Sequence, residues 1–237
     1  MALAFDAATA TAQGTGTLSA VHTPVGTPVA SLVLIVQLNA VDDIAAVTYG
    51  GIACSEVALS PSLINAGAEQ GTLYGYFLGS GVPSGAQTLS CTRVAPGTQQ
   101  ARAAVITLTG EGTVEVVDTS ELDSASISNP DVNLDNPSSR SCYAAGCLFS
   151  GASLITDIAP DAGYTDVVEV DWGANTSAII RADAVSAANP INLGWTIAAA
   201  DEAGILAMIV AEVATGEPAD ALSRAAVHAT MLADYWQ

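Results

Sequence analysis

Lysine is absent from the 237-residue chain, whose only strong cations are five arginines. They face 24 acidic residues, so the formal net charge is −19. Phosphate backbones and anionic lipid headgroups are bound through clustered cations, which this chain lacks. We therefore expect neither nucleic acid nor a membrane as a partner. Two interpretations of the charge stay open: a generally acidic, soluble protein, or a surface matched to a basic patch on another protein.

Long apolar runs and aromatic residues are also scarce. The longest apolar stretch spans residues 205–211, whereas a transmembrane helix needs about 18 consecutive apolar residues. The first residues lack the basic segment of a secretory signal, so none is predicted. Aromatic residues make up 5% of the chain, which leaves few platforms for stacking a sugar or a base.

Recognisable enzymatic motifs are missing as well. The two histidines, His22 and His228, lie far apart in sequence, and there is no nucleophile elbow, phosphate-binding loop or zinc-protease motif. We predict a non-enzymatic protein without a cofactor. A glycosidase needs only two carboxylates, and Glu169 with Asp171 on one strand are the candidates for that alternative.

Acidic residues also suggest two possible calcium sites, although neither has the spacing of an EF-hand loop. One set consists of Asp157, Asp161 and Asp166, and the other of Asp118, Glu121 and Asp123. We nevertheless predict no bound metal ion.

The four cysteines do not form a C-x-x-C motif. Cys142 and Cys147 are spaced poorly for zinc and have no histidine nearby. We expect buried, reduced thiols; the alternative is a disulfide between Cys54 and Cys91 across neighbouring strands.

Short segments rich in Val, Ile, Leu and Thr recur along the chain, separated by Gly, Pro, Asn, Asp and Ser. This pattern predicts β-strands. The main predicted strands are residues 29–38, 45–49, 52–59, 71–78, 87–94, 103–109, 114–118, 141–150, 166–172, 178–184, 192–198 and 205–213. Gly50-Gly51 is a hairpin-turn signal, and the polar residues 119–141 are predicted to form the longest loop. Without any βαβ pattern, the chain is predicted to be an all-β, antiparallel β-sandwich, jelly-roll-like.

The C-terminal residues 214–237 instead predict a short α-helix, with Pro218 in its first turn and alanine throughout. The residues near one helical face are Leu222, Ala225, Ala229, Leu232 and Trp236. The helix either folds back over the sandwich or forms an arm that docks on a neighbouring subunit. We thus predict a sandwich over residues 1–213 and a helical extension over residues 214–237.

Several segments follow one another in an order typical of one family. They are F-D-A-A-T at 5–9, V-H-T at 21–23, V-T-Y-G-G-I-A at 47–53, L-Y-G-Y-F-L at 73–78, P-S-G at 83–85, A-A-V-I-T-L-T-G at 103–110 and W-T-I at 195–197, before the strand at 205–213. Together they resemble the jelly-roll β-sandwich family of phage virion proteins and bacterial surface or secreted proteins. The chain departs from that pattern at Leu18-Ser19-Ala20, where an aromatic residue usually stands, and in its C-terminal helix. The resemblance implies a virion or surface module and carries no catalytic residues.

The resemblance, the acidic surface and the missing motifs lead to one expectation: a structural virion protein of a tailed phage, assembled in the host cytoplasm, that decorates the capsid. Its expected partner is the major capsid protein or another virion protein, and we expect dimers or trimers of the chain. The expected contact residues are Phe5, Leu222, Leu232, Tyr235 and Trp236. One alternative is a carbohydrate-binding surface or tail-fibre module. Its exposed stacking platforms would be drawn from Tyr74, Tyr76, Trp172 and Trp195.

Overall fold

The computed structural model describes residues 3–94, 99–152 and 154–213, and most of these residues lie in β-strands. All strand pairings among them are antiparallel, and their one helical element is a 3₁₀ turn at Ile155–Asp157. The prediction of an all-β antiparallel sandwich is confirmed. The predicted C-terminal helix lies outside the described residues.

The strands fall into two consecutive halves of the chain. Those of the first half are β1 Ala4–Ala10, β2 Leu18–His22, β3 Pro28–Leu38, β4 Ile44–Tyr49, β5 Ile52–Ala53, β6 Ser55–Glu56, β7 Ser62–Ile64, β8 Gly71–Leu78, β9 Gln87–Arg93 and β10 Ala101–Thr109. Those of the second half are β11 Val114–Ile127, β12 Asp131–Leu134, β13 Tyr143–Ser150, β14 Ile158–Pro160, β15 Tyr164–Asp171, β16 Thr176–Ala182, β17 Ile191–Ile197 and β18 Asp201–Glu212.

The two halves repeat one topology. In the first half, sheet A has the order β1-β10-β3-β8-β6, with β7 also on β8, and sheet B has the order β2-β9-β4-β5. In the second half, sheet C has the order β11-β18-β13-β16-β15 and sheet D the order β12-β17-β14. Apart from the short strands β5 and β7, which have no counterparts, sheet C repeats sheet A and sheet D repeats sheet B, each pair with jelly-roll connectivity. From the sequence, residues 1–213 are predicted to form one unit, and this repetition is not predicted.

The four sheets stack in the order B, A, C, D, so sheets A and C are covered on both faces. Along β3, Leu32 and Leu34 belong to the core shared with sheet C, whereas Val33 and Ile35 belong to the core shared with sheet B. A strand with two buried faces must be apolar on both, which explains the continuous apolar runs of β3, β13 and β18. These runs carry no alternation that would identify a solvent face.

Sheets A and C approach each other closely, and glycine permits the approach. A Cβ atom on Gly71 of β8 would overlap the ring of Phe149 in β13, and a Cβ atom on Gly204 of β18 would overlap Ile64 in β7. Each glycine therefore leaves room for one large side chain from the opposite sheet. These contacts join the two halves into one body.

The predicted loop at residues 119–141 is wrong. Its first part belongs to β11, the longest strand, and residues 131–134 form β12. Strand β11 is polar because it is an edge strand: it pairs on one side with the apolar β18, and many of its side chains reach solvent. Pairing with a well-formed neighbour outweighs weak intrinsic β-propensity. The predicted hairpin at Gly50-Gly51 is confirmed, with positive φ at both glycines and Tyr49 opposite Ile52.

Candidate functional site

A buried polar cluster surrounds His22, whose side chain is inaccessible to solvent. Its Nδ1 lies 2.8 Å from the Thr9 hydroxyl, and its Nε2 lies 3.0 Å from the Thr107 hydroxyl. The Thr107 hydroxyl donates to Asp6 Oδ2 at 3.0 Å. Because that hydroxyl has only one hydrogen, it accepts the Nε2–H of His22, and Nδ1 then accepts from Thr9.

This arrangement does not activate Thr107 as a nucleophile. The Thr107 proton already points to Asp6, and the one lone pair on Nδ1 is used by Thr9. Burial lowers the pKa of His22, so the imidazole is neutral, with the Asp6 charge opposing the shift. The hydrogen bonds of the cluster join β1, β2 and β10 and hold these strands together.

A second buried cluster surrounds Arg93, which is 2% exposed. Its Nε donates to Asp43 Oδ2 at 3.1 Å, and Nη2 also contacts that oxygen. Nη2 further donates to Gln37 Oε1 at 3.1 Å, while Nη1 donates to the carbonyl oxygens of Thr15 and Gln99 at 3.1 and 2.6 Å. The guanidinium thus holds three loops at one end of the first half. The alternation of β9 gives a partial sign of this burial, because Arg93 falls on the same side of the strand as the buried Leu89 and Cys91.

Two carboxylates of the second half hold the loop between β7 and β8 of the first half. Glu202, which is buried, accepts hydrogen bonds from the amides of Gly67 and Glu69 at 2.8 and 2.7 Å. Asp123 accepts from the amides of Asn65 and Ala66 at 3.2 Å each. Both carboxylates are therefore occupied by backbone donors.

The proposed calcium ligands do not converge. Among residues 3–94, 99–152 and 154–213, no three acidic, histidine or cysteine side chains are grouped to hold a metal ion. Asp118 and Asp123 lie on a strand instead of a loop, and each binds a backbone amide elsewhere: Asp118 Oδ2 accepts from the amide of Asp135 at 2.6 Å.

The glycosidase candidates Glu169 and Asp171 are both exposed on β15. Asp166 on the same strand, which the sequence suggests only as a calcium ligand, has a perturbed carboxyl group: burial, then the charge of Glu169, raises its pKa to about 6. A β-bulge between Asp166 and Val168 brings about this proximity, and the sequence pattern does not reveal the bulge. Two partly buried aromatic side chains lie near these carboxylates in sequence. The Tyr164 hydroxyl donates to the Asn192 carbonyl at 2.6 Å, and Trp172 Nε1 donates to the Ser177 hydroxyl at 2.9 Å.

Three of the four expected stacking platforms are inaccessible, so the prediction that they are exposed is wrong. Tyr74, Tyr76 and Trp195 are buried in the cores, with exposed fractions of 0, 6 and 1%. Their apolar surface fills the cores of a chain poor in aromatics, and only Trp172 of the four reaches solvent in part.

The five expected contact residues divide into two groups. Phe5 lies on β1 and packs against the main core, and the Arg181 guanidinium stands 3.8 Å from the centre of its ring. Its aromatic face is thus used between the two halves of the chain. Leu222, Leu232, Tyr235 and Trp236 lie outside the described residues.

All four cysteines are free, and no disulfide joins Cys54 to Cys91. Cys91, Cys142 and Cys147 are buried, as expected, whereas Cys54 is half-buried. Burial raises the pKa of the Cys54 thiol to about 11 and that of Cys91 to about 12, so both are protonated and unreactive at neutral pH.

The described surface has a groove where sheets A and C meet at the edge formed by β6 and β11. Its volume is about 380 Å³. The lining residues are Ser55, Glu56, Val57, Ala58, Phe77, Val116, Val117, Asp118 and Thr119. The floor is apolar and the rim carries two carboxylates, so the groove suits an apolar segment with a cation beside it.

The comparisons with known proteins identify no relative. No family model, no curated protein and no solved structure matches the chain. No helix of the described residues is long and apolar enough to span a bilayer.

Proposed function

We propose that this chain is a non-enzymatic structural protein of an assembly, namely a virion protein of a tailed phage that decorates the capsid. A structural role is supported by the hydrogen bonds that the buried titratable groups make within the chain. His22, Arg93 and Glu202 each bind groups of the chain itself, and each joins separate strands or loops. Nothing in these clusters is left to act on a substrate.

The architecture also suits an assembly protein. Two jelly rolls joined through a continuous core form one body, and the outer strands of such sheets can pair with or pack against other chains. The jelly roll occurs among viral capsid domains, so this support is a fold-level analogy. Dimers or trimers at symmetry axes would let many modest contacts add up by multivalency.

Charge suggests what the partner surface is like. The four arginines within the described residues all make contacts inside the chain, and acidic residues far outnumber them, so the net charge of the described surface is negative. We propose that the partner, the major capsid protein or another virion protein, presents a basic patch. Such binding is steered by charge and weakens as salt screens it.

The experiment is co-sedimentation of the purified chain with capsids, together with mass spectrometry of purified particles. We expect the chain in the particles, and binding that falls as ionic strength rises from about 0.05 to 0.5 M. Absence from particles, with no binding to capsids at low salt, would exclude the virion role and leave the fold unaffected. Turnover of a polysaccharide that Glu169→Gln abolishes would exclude the non-enzymatic role.

A further inference from the structure

The interface between sheets A and C has two edges that are equivalent in topology, and the described residues fill only one of them. At the first edge β1 lies against β15; at the second, β11, the counterpart of β1, lies against β7 beside β6. At the first edge Arg181 covers Phe5, and Arg102 Nη1 donates to the Glu169 carbonyl at 3.0 Å. At the second edge lies the groove of about 380 Å³.

The groove combines an apolar surface with a negative charge. An apolar side chain and an arginine would fill it, as Phe5 and Arg181 fill the first edge. Val57, Phe77 and Val117 supply apolar surface that already packs against the main core. The exposed Glu56 supplies negative charge at the rim, and Asp118, whose Oδ2 accepts from the amide of Asp135, also lines the groove. An apolar segment that carries one cation therefore complements it.

One segment of the chain has this composition. The four other arginines make contacts within the described residues, and the chain has no lysine, so Arg224 is its remaining strong cation. Arg224 stands among the apolar residues of 214–237, which the sequence predicts to share one helical face. The charge of Arg224 is opposite to that of Glu56.

The chain leaves sheet C beside the groove. The amide of Val213 donates to the Thr113 carbonyl at 2.8 Å, next to the start of β11. The groove residues 116–119 follow along that strand within about 10–20 Å, at a rise of about 3.3 Å per residue. Residues 214–237 would span about 36 Å as a helix, which is more than enough to cover the groove.

We propose that residues 214–237 dock in the groove of their own chain, with the apolar face against Val57, Phe77 and Val117 and with Arg224 beside Glu56. Docking fills the second edge as Phe5 and Arg181 fill the first. This inference takes the fold-back alternative for the C-terminal segment and does not depend on the proposed virion role.

Trypsin provides the test, because in a chain without lysine it cleaves only after the five arginines. We compare the rate of cleavage after Arg224 in the full chain with the rate in a synthetic peptide of residues 214–237. Docking predicts a rate in the full chain at least about 10-fold lower, since the site is cut only when the segment opens. The protection should be the same at all protein concentrations over a 100-fold range. Equal rates in chain and peptide would overturn the proposal, and protection that grows with protein concentration would overturn it in favour of docking on a neighbouring chain.

Variants locate the docking site. Val117→Asp should raise the rate at Arg224 to that of the peptide, whereas Val25→Asp, at a side chain that is 87% exposed and outside the groove, should leave it unchanged. If Val117→Asp unfolds the sandwich, cuts at the other arginines reveal it. Glu56→Gln, which preserves the shape of the groove, then tests the location. It should raise the rate of cleavage after Arg224 about 2- to 5-fold, as expected for the loss of one partly exposed ion pair. An unchanged rate in both groove variants would refute this location.

Discussion

Replacing Arg93 with methionine tests how far the first half of the chain depends on one buried cation. Methionine keeps much of the apolar stem of Arg93 and removes the guanidinium. The Asp43 carboxylate then loses its cation but stays in the same partly buried position. Asp43 is 12% exposed, so water replaces the lost partner only in part. The carbonyl oxygens of Thr15 and Gln99 lose their donor as well.

The expected cost is large. Breaking a buried ion pair from one side costs about 3–5 kcal/mol. A domain of ordinary stability has about 5–15 kcal/mol, so the loss is a substantial fraction of the total. Arg93→Lys keeps the charge but not the fork of donors, and it should cost less than Arg93→Met. Combining Arg93→Met with Asp43→Asn removes the stranded charge, so the double variant should be more stable than Arg93→Met alone.

Urea unfolding followed by circular dichroism measures these differences, provided that the m-values stay constant. Glu115→Gln is the matched control, because its ion pair with Arg140 lies at the surface, with 24% of the arginine side chain and 47% of the glutamate side chain exposed. That change should cost at most about 1 kcal/mol, and less at high salt. A cost below about 1 kcal/mol for Arg93→Met, or a double variant less stable than Arg93→Met, would refute the reasoning.

Three further predictions concern pH, packing and thiol reactivity. Because the folded state lowers the pKa of His22, the unfolded state binds the proton more readily, and the free energy of unfolding should fall as pH drops below about 6.5. Urea unfolding at a series of acid pH values measures this dependence, and His22→Gln should flatten it. An unaltered slope in the variant would assign the dependence to other groups. Gly204→Ala should destabilise by about 1–3 kcal/mol because its Cβ overlaps Ile64, whereas Gly112→Ala, which meets nothing within 4 Å, should be near neutral in the same thermal melts. A maleimide reagent at pH 7 should leave all four thiols of the native chain largely unlabelled and react with all of them in urea, with Cys54 first if any reacts; rapid native labelling of Cys91 would contradict its burial.

The sequence by itself determines that the part of the chain before residue 214 is all-β. Strand-length segments of branched apolar residues, punctuated by turn residues, predict β3, β8, β10 and β13 near their observed positions. Gly50-Gly51 predicts its hairpin, because two successive positive φ angles favour glycine. These are local signals, carried by a residue and its immediate neighbours.

The tertiary structure decides which sheets face each other and which polar groups are buried. Strand β3 is apolar at nearly every position, so its pattern does not say that Val33 faces sheet B while Leu34 faces sheet C. Strand β11 is polar and becomes a strand only because β18, almost 90 residues away in sequence, supplies its hydrogen-bonding partner. The acceptors around Arg93 likewise come from distant loops. Such contacts depend on pairing between remote segments, which no local pattern of residues contains.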